Sequence, residues 1–149
     1  SSSGKLNQGR IYCFDRNNGK KPLWQYNVKV TNTLTAPVLS GDSLYVVGGS
    51  NIYGLDASTG ILKYENRFSN LVSVPAVDED NKRIYAGSSK GILYAIGSNG
   101  RLDWHRELEG AIENAPLQGP DGYIYVCTQK GNLYKIRDNA AVVSVTPNR

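Results

Sequence analysis

Self-similarity at a fixed period constrains this chain more than any other feature, because a chain that repeats one short unit must stack or ring equivalent modules. Tyr12, Tyr53, Tyr94 and Tyr134 each follow an Ile or Leu, with separations of 41, 41 and 40 residues. Tyr45, Tyr85 and Tyr125 form a second series spaced 40 and 40. Gly19, Gly60 and Gly100 are spaced 41 and 40, and Trp24, Tyr64 and Trp104 are spaced 40 and 40. Pro37, Pro75 and Pro116, each beside an Ala, follow at 38 and 41. Five independent landmarks share one period, which coincidence does not produce.

Each unit reads as short strands between turns. In the third, Val74-Pro75-Ala76-Val77, Arg83-Ile84-Tyr85-Ala86-Gly87, Ile92-Leu93-Tyr94-Ala95-Ile96 and Arg101-Leu102-Asp103-Trp104-His105 are separated by runs of Gly, Asn, Asp and Ser. Aliphatic and Tyr-rich runs bounded by turn residues are the signature of strands and hairpins. No segment sustains a 3.6-residue apolar period, so helix is expected to be nearly absent. Four antiparallel strands in about 40 residues make a propeller blade, whose small sheet buries both faces only by packing against its neighbours. The turns Asn18-Gly19, Thr59-Gly60 and Asn99-Gly100 are expected to need a positive backbone angle, which glycine adopts without a clash. The aromatic that follows each, Trp24, Tyr64 or Trp104, is expected in the outermost strand, lying across a neighbouring blade.

The stretches Ser88-Ser89-Lys90-Gly91-Ile92-Leu93-Tyr94-Ala95-Ile96 and Ile52-Tyr53-Gly54-Leu55-Asp56-Ala57-Ser58-Thr59-Gly60 resemble the repeat of the pyrroloquinoline-quinone-like (PQQ-like) β-propeller superfamily. That repeat runs Tyr-Val-Gly-Ser, a turn, Gly-x-Leu-Tyr-Ala-Leu-Asp, Thr-Gly and Trp. The resemblance covers Gly9 to about Asp138. The chain departs from the pattern where Tyr64 replaces the Trp, where Gly97-Ser98 replaces Asp-Ala, and in an extra residue before Trp24. The Gly-His and Trp-Asp landmarks of WD40 blades are missing, and the double Gly of kelch blades occurs once, at Gly48-Gly49.

The fold expected is therefore all-β: one domain over 1–149 built of propeller blades of four antiparallel strands, divided as an incomplete blade over 1–30 and blades over 31–70, 71–110 and 111–149. Ser1-Ser2-Ser3 aligns with the end of a second strand, so the first unit is expected to lack two strands, and Ala141–Val145 is the candidate fourth strand of the last. Family members close rings of about six to eight blades. The resemblance thus implies a segment of a larger ring, or half of a ring completed by a second copy in a homodimer; a compact ring of about four units is the alternative. In an open arc, the faces carrying Ile11 and Ile136 are expected to be partly wet.

Composition narrows the chemistry. With 40% hydrophobic and 20% charged residues over 149 positions the chain can bury a core, and no apolar run reaches the roughly 18 residues of a membrane span. The net charge of +4 comes from Lys and Arg dispersed among acidic residues, a pattern of solvated surface that speaks against a nucleic-acid partner. Cys13 and Cys127 stand in apolar runs and read as small buried hydrophobes. Asp78-Glu79-Asp80-Asn81 is the one acidic cluster, placed in a strand-connecting turn without the Gly and distal Glu of a calcium loop. His105 is the only histidine, which excludes a multi-His metal site, and Glu107, Glu109 and Glu113 fall in a connection between outer and inner strands. No phosphate-binding glycine loop or nucleophile elbow is present.

In the enzymes of this superfamily the quinone sits at the ring centre with calcium, a catalytic Asp and often paired adjacent cysteines. None of these matches a residue here, so no cofactor, metal or catalytic residue is assigned. A Tyr that recurs at the same place in every blade is explained by packing rather than by a ligand. The expected function is a non-catalytic scaffold whose blades present loops and edges to a protein or glycan, or to further blades of the same propeller. The resemblance implies a periplasmic or extracellular location. Its nearest functional analogue is the lipoprotein scaffold of outer-membrane protein assembly; the alternative is a segment of a quinone-dependent dehydrogenase with its active-site blades outside this chain.

Overall fold

The computed structural model describes residues 8–29 and 34–147, and they form fourteen strands. Two make a first sheet, Gln8–Phe14 (β1) and Pro22–Lys29 (β2). The second sheet holds Val38–Ser40 (β3), Ser43–Gly48 (β4), Asn51–Asp56 (β5) and Leu62–Arg67 (β6). The third holds Ala76–Asp78 (β7), Arg83–Gly87 (β8), Ile92–Gly97 (β9) and Leu102–Glu107 (β10). The fourth holds Leu117–Gln118 (β11), Ile124–Cys127 (β12), Asn132–Ile136 (β13) and Val142–Pro147 (β14). Strand order follows the chain in every sheet, all pairs are antiparallel, and no helix occurs among the described residues. The alignment of Ser1–Ser3 with a second strand lies outside the described residues.

The short strands β3, β7 and β11 neighbour one another, so the sheets converge on one side and fan out on the other, as propeller blades do. The middle strands show why. In β4 and β5 eight of twelve residues are buried and none is exposed, because neighbouring sheets cover both faces. The outer strand β6 alternates half-buried with exposed residues, as expected where one face meets water.

Strand parity assigns each side chain to one interface. Ile11 and Val28 of the first sheet pack on Val46, Tyr53 and Leu55 of the second. Tyr45, Val47 and Ile52 point the other way, against Ile84, Ala86, Tyr94 and Ile96 of the third sheet, while Tyr85, Leu93 and Ala95 meet Ile124, Val126, Tyr134 and Ile136 of the fourth.

The same parity corrects two expectations. Ile11 (7% exposed) and Ile136 (0%) are not on the wet faces; Tyr12 (44%) and Phe14 (51%) carry the outward face of the first sheet and Leu133 (39%) that of the fourth. One residue of offset separates the covered face of a strand from the bare one. Cys127, next to the buried Val126, is for that reason exposed, and Cys13 is only half-buried; both are free thiols.

A shared irregularity aims the landmark aromatics. In every sheet the outermost strand carries one extra residue opposite its neighbour: Leu23 between the pairs Phe14↔Pro22 and Cys13↔Trp24, then Lys63, Asp103 and Val143 at the same place. A bulge at each position locally increases the twist and re-aims the following residue.

Candidate interaction surface

The residue after each bulge pairs across the ladder with a small one: Trp24 with Cys13, Tyr64 with Gly54, and Trp104 with Ala95. Each aromatic then reaches the turn of the next sheet. The Trp24 ring lies on Gly60 and its indole Nε1–H donates to the Ala57 carbonyl at 2.9 Å, while the Tyr64 ring lies on Gly100. Gly60 (φ +73°) and Gly100 (φ +81°) need glycine twice over, since a Cβ would strain the backbone and collide with the ring. Gly19 differs from the expectation: it is not among the positive-φ residues, and nothing approaches the place its Cβ would take. The extra residue before Trp24 changes that turn, and no sheet precedes it among the described residues.

At the third interface the contact becomes polar. Asp138 of the fourth sheet's outer turn accepts hydrogen bonds from the Tyr85 hydroxyl at 2.8 Å and the Trp104 Nε1–H at 3.2 Å, and lies 3.4 Å from the Arg83 guanidinium. Arg83 also reaches Asp103 at 3.4 Å. Burial, followed by the bond to Asp138, pushes the Tyr85 phenol far above its ordinary value, so this hydroxyl stays a donor. The turn glycine is here replaced by Ala140, which keeps a positive φ of 69°.

Of the series Tyr12, Tyr53, Tyr94 and Tyr134, the last three face the preceding sheet. Tyr53, Tyr94 and Tyr134 are buried (2%, 7% and 6%); the Tyr94 hydroxyl donates to the Ser69 carbonyl at 3.3 Å and that of Tyr134 accepts from the Glu109 N–H at 3.1 Å. Tyr12 is exposed, stacked on Phe14 with ring centroids 5.9 Å apart.

On the fourth sheet the docking pair is lost: the place of the small residue is taken by Lys135 and that of the aromatic by Ser144. Its outward face is a cationic and aromatic cluster. Lys135 Nζ stands 4.2 Å from the Tyr123 ring centroid and 5.8 Å from that of Tyr125, and the Arg137 guanidinium lies 5.9 Å from Tyr123. The Tyr125 hydroxyl donates to Asp121 at 2.7 Å, and Lys135 pairs with Asp121 at 3.5 Å. These bonds hold the Asp121 carboxyl below its usual range, the one from Tyr125 having the largest effect. Leu117 (66%) and Leu133 (39%) extend the face. Sequence reasoning missed this cluster, although Lys135 breaking the small-residue series Cys13, Gly54, Ala95 is a visible signal.

The remaining chemistry-bearing residues do not converge. Asp78 is buried but accepts from the Asn81 N–H (3.1 Å) and Nδ2–H (2.7 Å); burial alone would raise its carboxyl, and these bonds reverse the shift. His105 is exposed on β10 beside Tyr94. Glu113 accepts from Gln129, and no group of three metal-ligating side chains occurs among the described residues. No helix of the described residues is long and apolar enough to cross a membrane.

Stacked four-stranded antiparallel sheets, docked through a periodic aromatic, define a PQQ-like β-propeller repeat protein. A family profile described as outer membrane protein assembly factor BamB matches residues 7–142, and the chain belongs to that family. Outer membrane protein assembly factor BamB of Burkholderia pseudomallei (strain K96243) is 29% identical over 99 residues, which are 66% of this chain and 26% of that protein. The protein of the same name from Bordetella pertussis (strain Tohama I) is 25% identical over 136 residues, 89% of this chain and 34% of that protein. The crystal structure of BamB from Moraxella catarrhalis superposes with a TM-score of 0.77 at 22% identity, over 93% of this chain and 44% of that one, and supports the fold. The chain spans less than half the length of each of these relatives.

Proposed function

We propose that this chain belongs to a non-catalytic, protein-binding propeller scaffold that acts outside the cytoplasm in the assembly of outer-membrane proteins, as the names of its relatives suggest. The observation that carries the reading is the outward face of the fourth sheet. There Lys135 and Ser144 replace the small and aromatic residues of the blade-docking pair, leaving Tyr123, Tyr125, Lys135 and Arg137 grouped on the surface. Half-buried tyrosines beside an exposed arginine and a few exposed aliphatic neighbours are the composition of a protein interface. The outward face of the first sheet carries Tyr12 and Phe14, whose repeat positions are buried between sheets elsewhere in the chain, and further blades are its natural neighbours. A glycan partner and the quinone-dependent dehydrogenase alternative have less support, since the relatives are named as assembly factors.

The test is to replace Tyr125→Ser together with Lys135→Glu in the cell that makes the protein and to quantify its outer-membrane proteins. Their level is expected to fall while the purified variant keeps its urea midpoint. Unchanged levels overturn the reading, and dye reduction by the full-length protein on addition of quinone and calcium would favour the dehydrogenase instead.

A further inference from the structure

The interface between the second and third sheets and that between the third and fourth use the same positions with different residues, and the difference leaves a cavity. The turns that precede β10 and β14 match: Gly97 N–H donates to Arg101 and Gly100 N–H to Gly97, as Arg137 N–H does to Ala141 and Ala140 N–H to Arg137. The Asn99 and Asn139 side chains accept equivalent backbone bonds. Ser98 therefore stands where Asp138 stands. Ser43 and Arg83 each open the second strand of their sheet, and Tyr45 and Tyr64 hold the places of Tyr85 and Trp104. Two serines thus replace the Arg83–Asp138 pair.

The Tyr85 hydroxyl and the Trp104 Nε1–H both donate to Asp138, whereas the Tyr64 hydroxyl is buried without a hydrogen-bond partner. Burial, followed by the nearby Tyr45, pushes the Tyr64 phenol far above its ordinary value, so this hydroxyl stays a donor. A pocket of about 250 Å³ opens here, lined by Tyr45, Ser98, Ser40, Val77, Ile84 and Lys82 among others. Of the charged residues around it, Glu79 accepts from Ser40 at 2.9 Å, Asp78 accepts from Asn81, and Arg83 is paired with Asp103 and Asp138. Lys82 makes no ion pair among the described residues.

We propose that this pocket binds a carboxylate in the place that Asp138 fills at the next interface. The carboxylate accepts from the Tyr64 and Tyr45 hydroxyls, and Lys82 offsets its charge; hydrogen bonds to an ionised acceptor are the strong ones. Val77 and Ile84 suit a short apolar chain behind it, and the volume is below that of sites for drug-sized ligands. The ligand class is a short organic acid, free or as the acidic side chain of a protein. The proposal is independent of the partner of the fourth sheet.

Butyrate and butyramide, alike in shape and different in charge, are the probes. Butyrate is expected to shift the amide resonances of Ser98 and Gly100 saturably, at one per chain, and butyramide is not. Tyr64→Phe keeps the ring on Gly100 and is expected to weaken butyrate about tenfold or more. Ser98→Asp supplies the carboxylate from the chain itself, so its urea midpoint is expected to exceed that of Ser98→Asn, and butyrate is expected no longer to bind. A capped Gly-Asp-Gly peptide that binds more tightly than butyrate assigns the site to a protein side chain, and the reverse order assigns it to a free acid. Equal responses to the two probes, no saturation, full affinity in Tyr64→Phe or Ser98→Asp, or a Ser98→Asp midpoint no higher than that of Ser98→Asn would each overturn the proposal.

Discussion

Asp138 shows how much one side chain can hold when two sheets share it. It gathers the Tyr85 hydroxyl, the Trp104 indole and the Arg83 guanidinium, all from the third sheet. Asp138→Ala is expected to lower stability by about 1–3 kcal/mol, because a buried donor loses its acceptor, and Tyr85→Phe is expected to remove only about 1 kcal/mol. Urea unfolding of the two single variants and the double checks this, the double falling short of the sum because the partners are shared. Ala140 stands where Gly60 and Gly100 stand in the other turns, yet keeps φ at 69°. A non-glycine residue there is strained by about 1 kcal/mol, so Ala140→Gly is expected to raise the urea midpoint. The landmark positions are legible in the sequence because each needs a particular residue type. Gly19 breaks that rule, since its turn is one residue longer and the ring that would cover it is not among the described residues.

Among the strands, the bulge in each outermost member lies at Leu23, Lys63, Asp103 and Val143, 40 residues apart. Four unlike residues occupy it, so the bulge leaves no mark in residue type; its role is geometric, and only pairing register reveals it. It explains why the aromatic one position later reaches the next sheet. The first sheet depends most on that contact, having only two strands among the described residues. Trp24→Ala is expected to speed amide exchange across β1 and β2 by about tenfold or more while β8, β9, β12 and β13 keep their protection. Uniform acceleration in all four sheets would instead mean that they unfold as one unit.

Across the whole molecule, the buried tyrosines make stability fall at alkaline pH. Burial raises the phenols of Tyr26, Tyr53, Tyr64, Tyr85 and Tyr94 above their ordinary value of 10.0. The unfolded chain then loses protons near pH 10 that the folded chain retains, so stability is full below that pH and declines as pH rises through it. The urea midpoint is expected to hold steady up to about pH 9 and then drop, with phenolate absorbance appearing together with loss of the sheet signal. Phenolate from these five tyrosines, read as the loss on replacing each by Phe, growing in well before unfolding would show that they are more accessible than their packing implies. Light scattering adds a second check on the same scale. If the outward faces dock copies of this chain, mass rises with concentration, and Tyr12→Arg with Leu133→Lys returns it to that of one chain.

The sequence by itself determined the period, the four-stranded unit and the aromatic–glycine relation, because a repeated module must reuse the same residue types wherever the same contact recurs. It did not determine which faces were covered. Ile11 against Tyr12, Ile136 against Leu133 and Val126 against Cys127 differ by strand parity and by the presence of a neighbouring sheet, and apolar or small residues occupy both sides. The cluster around Lys135 likewise became visible only when β12, β13 and the Asp121 turn were brought together, since its members are joined by cross-strand proximity rather than by sequence. Local chemistry fixes the blade; tertiary packing decides which of its surfaces is left to bind.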